Sequence, residues 1–153
     1  MMSHLDGYLR AGEVFYISIF TDKGIYFSEE SLDIILDIIY DMNEKDYFLL
    51  FGFTILPNEL HLIIRVKTAN LLDKMVKGIK RRISKSLRSR SILGATLWKK
   101  GYTVENINSR AQLIEALNFV HRLAKEKGLI DSPKKYRYSS SYMGNPTDLD
   151  AIW

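Results

Sequence analysis

Short apolar runs alternate with amphipathic ones along the chain, and the two periods predict its elements. Phe15 to Thr21 (FYISIFT) is β-branched and aromatic, follows Gly12 and ends at the turn-forming Asp22-Lys23-Gly24, which predicts a strand. Ser28 with Glu29 and Glu30 supplies an N-cap and an acidic first turn, and Leu32, Ile35, Leu36 and Ile39 then recur at helical spacing up to Asn43. Tyr47 to Leu56 is almost continuously apolar and rich in aromatics, as a strand buried on both faces should be. Pro57-Asn58 turns the chain into His61 to Lys67, where Leu62, Ile64 and Val66 alternate with His61, Ile63 and Arg65, so the two runs read as a hairpin.

From Asn70 to Arg90, Leu72, Val76, Ile79, Ile83 and Leu87 form one helical stripe while Lys74, Lys77, Arg81, Lys85 and Arg88 form another. Leu93 to Tyr102 (LGATLWKKGY) predicts an edge strand. Ser109-Arg110-Ala111-Gln112 matches a capping box ahead of Leu113, Leu117, Val120 and Ala124, a third helix that should stop at Gly128. Residues 129–153 read as a C-terminal tail packing through aromatics such as Tyr136 and Tyr138, and His4 as part of a frayed terminus. The order strand, helix, strand, strand, helix, strand, helix implies an α+β fold, a ferredoxin-like two-layer sandwich with a mainly antiparallel sheet and helices packed on it. Residues 1–153 are expected to form a single domain, with no repeat or low-complexity segment.

Composition narrows the function. With 46% hydrophobic and 26% charged residues the 153-residue chain should bury a core of its own. It has no cysteine, which removes disulfides, thiolate zinc sites and cysteine nucleophiles. No apolar run approaches the roughly 18 residues of a membrane span, and the start has no signal-peptide core, so a cytoplasmic location without membrane partners is expected. The net charge is +4, and its distribution matters more than its size. Acids crowd the segment before Tyr47, whereas Lys74, Lys77, Lys80, Arg81, Arg82, Lys85, Arg88 and Arg90 follow with few acids between them. That asymmetry predicts a polyanion partner for one face, with Trp98, Lys99, Lys100 and Tyr102 adding charge and stacking surface.

Candidate chemistry centres on Glu59-Leu60-His61. With a period of two, Glu59 and His61 leave the same sheet face, a geometry by which two side chains on one strand can share a cation. An isolated Glu-x-His pair is more often a solvated turn residue beside the first residue of a strand.

Its surroundings carry further information. Pro57-Asn58-Glu59-Leu60-His61 resembles the Pro-Asn-His-x-His signature of the HUH single-tyrosine transposases of small insertion sequences, which include the REP-associated tyrosine transposases. Trp98-Lys99-Lys100-Gly101-Tyr102 is similar to their Trp-x-x-Gly-Tyr segment, and Phe119 to Leu129 to their Tyr-Ile-x-x-Asn-Pro-x-x-x-Gly-Leu helix. Pro133, Tyr136 and Ser139-Ser140-Ser141-Tyr142 resemble the family's terminal elements, so the likeness spans about Phe15 to Tyr142. The resemblance implies a metal site at the signature, with magnesium or manganese held by Glu59 and His61, a nucleophile at position 119, and single-stranded or hairpin DNA bound by a homodimer. The departures fall on the chemistry: Glu59 stands where the first histidine is expected, and Phe119, which has no hydroxyl to attack phosphorus, stands at the nucleophile position.

The positions Glu59, His61 and Phe119 therefore mark a degenerate site, and three functions stay open. One is a transposase-like protein that binds hairpin or single-stranded DNA without cleaving it. Another is an active metal-dependent nicking enzyme using a different tyrosine, such as Tyr102, Tyr136 or Tyr138. The third is a protein-interaction module or RNA-binding regulator. His121 reads as a helix-surface residue. If the resemblance holds, Glu59 and His61 should lie near Phe119 across the sheet.

Overall fold

The computed structural model describes residues 4–89 and 97–152. In chain order the elements are α1 (His4–Arg10), β1 (Val14–Phe20), α2 (Glu29–Glu44), β2 (Leu49–Leu56), β3 (Glu59–Arg65), α3 (Leu72–Ser89), β4 (Thr103–Asn106), α4 (Arg110–Glu126) and α5 (Leu149–Ile152). The strands form one antiparallel sheet in the order β2-β3-β1-β4. This is the ferredoxin-like order expected of a split βαβ unit, with β3 inserted between β1 and β2.

Alternation along the strands builds two cores. Phe15, Ile17 and Ile19 of β1 and Leu60, Leu62 and Ile64 of β3 face α2 and the buried stripe Leu72, Val76, Ile79, Ile83 and Leu87 of α3. Val14 and Ile63 face the other way, toward Leu113, Ala116 and Val120 of α4 and Leu5 and Leu9 of α1. The predicted two-layer sandwich thus carries a further, incomplete layer. A bulge between Leu50 and Gly52 lets β2 serve both cores. At Gly52 a Cβ would stand 2.5 Å from Leu117 Cδ2, so the missing side chain lets α4 press onto β2. The expected caps form, with the Ser28 hydroxyl accepting from the Ser31 amide and the Ser109 hydroxyl from the Gln112 amide.

Three sequence expectations are corrected. His4 is not part of a frayed end but opens α1, which Leu5 and Leu9 anchor on the second core. The edge strand is not Leu93–Tyr102: residues 93–96 lie outside the described part, Trp98 makes one isolated bridge to Thr21, and the strand itself starts at Thr103. The turn at Gly101, with φ of 81°, separates the two. The C-terminal tail packs through Tyr136 and Tyr138 as expected, and it also runs along the free edge of β2. There the Ile55 amide donates to the Tyr138 carbonyl (2.7 Å), the Ser140 amide to the Phe53 carbonyl (2.9 Å) and the Asp148 amide to the Leu50 carbonyl (2.9 Å). Among the described residues no helix is long and apolar enough to cross a membrane.

Candidate functional site

The alternation that buries Ile63 under α4 also turns Glu59 and His61 toward that side of the sheet. Their neighbours on β1 are Phe20, paired with Glu59, Ser18, paired with His61, and Tyr16, paired with Ile63. His61 is buried and fully engaged. Its Nδ1 accepts from the Tyr16 hydroxyl (2.7 Å) and lies 3.0 Å from the Ser18 hydroxyl, and its Nε2 donates to Glu59 Oε1 (3.0 Å). This assignment of the tautomer follows from the partners, since a carboxylate can only accept. Burial pulls the His61 pKa below its ordinary value, against the opposing pull of Glu59, so the ring is neutral at neutral pH. Burial likewise raises the Tyr16 hydroxyl, with Glu59 and Glu105 adding to the effect. Lys127, the C-cap residue of α4, closes the chain with its ammonium 3.4 Å from Glu59 Oε2.

Phe119 comes to the same place from α4. Its ring lies 6.1 Å from that of Tyr16, whose ring is in turn 5.9 Å from His61. The nearness expected of three positions sixty residues apart in sequence is therefore present. Phe119 is 41% exposed and, with Tyr16, Glu105, Gln112, Glu115 and Arg122, lines an open cavity of about 440 Å³. The cavity exists because α4 packs mainly over β2 and leaves the β1–β4 side of this face uncovered.

The two donors that the resemblance implied for a divalent cation are bonded within the protein. His61 Nε2 and Glu59 Oε1 lie 3.0 Å apart, and the remaining Glu59 oxygen faces the Lys127 ammonium. A metal ligand must offer a lone pair, so a cation here would have to displace the proton that His61 shares with Glu59. Among the described residues no group of three His, Cys, Asp or Glu side chains gathers.

The basic residues of α3 lie behind the opposite face of the sheet, and they divide into two sets. Lys77 is paired with Asp73 (2.9 Å) and Arg82 with Asp41 of α2. Lys80 donates to the carbonyls of Gly101 (2.7 Å) and Lys99 (3.3 Å), and burial lowers its pKa. Arg82 and Lys80 tie α3 to its neighbours, whereas the Lys77 pair is exposed and lies within the helix. Lys74, Arg81, Lys85 and Arg88 are exposed and have no acidic partner among the described residues. Arg81, Lys85 and Arg88 line, with Lys80, Ser84 and Trp98, a groove of about 570 Å³. Lys99 and Lys100 are exposed beside it, and Arg90 lies outside the described residues.

Trp98 and Tyr102 are not the free stacking surfaces the sequence suggested. The Trp98 indole N–H donates to Ser84 Oγ (2.8 Å) and the Lys80 carbonyl (3.0 Å), and its ring packs edge-on against Phe27. The Tyr102 hydroxyl donates to Asp73 (3.3 Å). Nor do the tyrosines suggested as substitute nucleophiles approach Glu59 and His61. The Tyr136 hydroxyl donates to the Ile55 carbonyl and the Tyr138 hydroxyl to Asp33, both rings being buried in the first core. Burial pushes Tyr138 up to about 12 and Tyr136 higher still. His121 is not a free surface residue, because its Nε2 meets the Ser140 hydroxyl at 2.7 Å.

The family model for IS200-like transposases matches residues 17–122, a span from β1 almost to the end of α4 that contains Glu59, His61 and Phe119. The chain belongs to the IS200-like transposase family. A REP-associated tyrosine transposase solved bound to a REP hairpin shares the fold with a TM-score of 0.73 at 11% identity, covering 94% of this chain and 92% of the other. A Deinococcus radiodurans R1 protein described as a transposase gives 0.51 at 20% identity over 69% of this chain and 88% of its own. No curated protein matches the chain.

Within this IS200-like transposase the residues that sequence reasoning missed are Tyr16, Ser18 and Lys127. The only signal for the first two was their place at alternate positions of an otherwise apolar strand. Nothing in the sequence marked Lys127 as a partner of Glu59.

Proposed function

We propose that this IS200-like transposase binds hairpin or single-stranded nucleic acid on the α3 side of its sheet and does not cut it through a phosphotyrosine. The observation that carries the binding is the set of exposed cations Arg81, Lys85 and Arg88 bordering one groove, with Lys74 farther along the same helix, none of them with an acidic partner among the described residues. The similar fold solved with a REP hairpin makes a DNA hairpin the first ligand to test. Against cleavage stand the missing hydroxyl at Phe119 and the His61–Glu59–Lys127 chain, which satisfies the groups a cation would need. On this reading the 153 residues work as one domain. A homodimer is supported by β4, whose four residues are all exposed and whose outer edge pairs with no strand among the described residues.

A second reading rests on the Tyr16–His61–Glu59 chain. Hydroxyl, imidazole and carboxylate stand in the order of a nucleophile, its base and the group that orients the base, with Arg122 bordering the same cavity. One experiment separates the two. The protein is incubated with manganese and a DNA hairpin flanked by single strands, bound DNA is followed by fluorescence anisotropy, and covalent adducts are sought on a denaturing gel. Salt-sensitive binding with no adduct is expected; an adduct that disappears in Tyr16→Phe establishes the second reading, and absence of binding at low salt removes the first.

A further inference from the structure

Beyond the groove of α3, a second cavity of about 370 Å³ opens at the other side of Arg81, lined by Tyr47, Leu71 and Met75 and rimmed by Lys67 and Lys74. Tyr47 is 53% exposed and Leu71 40%. The position of Tyr47 is set by a closed turn after α2. Asp46 takes a positive φ of 62°, its amide donates to the Asn43 carbonyl, and the Tyr47 amide donates to Met42 (3.0 Å). Tyr47 and Lys67 also line an adjoining hollow of about 130 Å³, so more than one flank of the phenol borders open space.

An aromatic ring held out of the core beside an apolar wall, ringed by three cations against the single acid Asp46, is complementary to a planar apolar group that carries negative charge. Arg81 borders both this cavity and the α3 groove, so a strand whose phosphates follow α3 reaches Tyr47 without a break in positive charge. We infer that Tyr47 is the stacking platform for an unpaired nucleobase of the bound nucleic acid, with Lys67 and Lys74 holding the phosphates next to that base. The inference rests on the proposed α3 interface and assigns to Tyr47 the role that Trp98 and Tyr102, both tied into the fold, do not fill.

The test compares two labelled DNA hairpins, one blunt and one carrying three unpaired thymidines at its foot, by fluorescence anisotropy. Tyr47→Ala is expected to weaken the extended hairpin by about tenfold and to leave the blunt one unchanged, while Tyr47→Phe retains wild-type affinity for both. Replacing the three thymidines by abasic sites should cost wild type the same factor and cost Tyr47→Ala nothing further. Tyr47 is exposed and only its amide bonds the turn, so the alanine variant keeps the fold's hydrogen bonds. Equal effects of Tyr47→Ala on both hairpins, or none on either, overturn the stacking role while leaving α3 as the interface. A wild-type protein that binds neither hairpin overturns the α3 interface and, with it, this inference.

Discussion

On one face of the sheet the polar side chains have found partners in each other; behind the other face several cations have no acidic partner among the described residues. Beneath α4, Tyr16, Ser18, His61, Glu59 and Lys127 form a continuous chain of donors and acceptors, and His61 is nearly closed to solvent. Along α3, Arg81, Lys85 and Arg88 are exposed and meet no acid among the described residues. The difference teaches which face has chemistry left for a ligand. A network whose members are all satisfied gains little from a further partner, because binding must first break bonds of comparable strength. Isolated cations on a rigid helix lose only counterions and water when a phosphate arrives.

The comparison breaks most easily at α3. Neutralising Lys74, Arg81, Lys85 and Arg88 together should weaken a DNA hairpin on the order of 10³-fold near ~0.1 M salt and flatten the salt dependence by about 3–4 units, from about 0.9 unit per phosphate contact. The same four-fold change placed on Lys77, Lys80, Arg82 and Lys127 should lower stability while moving the salt dependence far less. Anisotropy titrations across a salt series measure both. Equal salt slopes for the two variants would erase the distinction between free and tied cations.

How much of this was legible beforehand depends on whether a residue's role was local. The α2 and α4 caps, the hairpin turn at Pro57-Asn58 and the buried stripe of α3 were all readable, because each is fixed by residues within one or two turns of each other. The nearness of Glu59, His61 and Phe119 was legible only through the family resemblance. Helix α1 was not readable: seven residues with a glycine at the centre have no helical tendency of their own, and Leu5 and Leu9 owe their order to the second core. Strand β4 was misplaced because its four residues are all exposed and show no alternation, while the apolar Leu97 and Trp98 before it are drawn into the first core instead. The Lys77–Asp73 pair is local and readable at i,i+4, but the ties of Arg82 and Lys80 were not, since Asp41 and the Gly101 carbonyl are brought to them only by tertiary structure.

Smaller effects sharpen the picture of the α4 face. Gly52→Val should cost about 1–3 kcal/mol in urea unfolding, because the new side chain enters the space of Leu117 and lifts α4 from β2. Thr54→Val should cost about 1–2 kcal/mol, since the Thr54 hydroxyl donates to the Val120 carbonyl (2.8 Å) and lies 2.9 Å from the Ser139 hydroxyl where α4, β2 and the tail meet. A loss in Thr54→Val confined to the tail, seen as faster amide exchange at Tyr138–Ser140 with α4 unchanged, would show that the hydroxyl serves Ser139 alone.

The smallest expected effect is that of pH. His61 and His121 both have pKa values held below the ordinary 6.5 by burial. A histidine lowered in the folded state takes its proton more readily when unfolded. Its contribution is therefore whole above about 6.5 and declines as pH falls from there toward the folded values. Urea midpoints should drop between pH 7.5 and 5.5, and a midpoint that holds steady or rises would contradict the neutral, bonded state assigned to His61.

The tail lying along β2 has a further consequence for association. Its carbonyl and amide groups at Tyr138, Ser140 and Asp148 occupy the hydrogen-bonding positions that Leu50, Phe53 and Ile55 would otherwise present, and β4 alone is left with a bare margin among the described residues. A sheet with one margin sealed can be lengthened in one direction only. Were two copies to join margin to margin, neither would have a further strand edge to offer among the described residues, and growth by strand addition would stop at two.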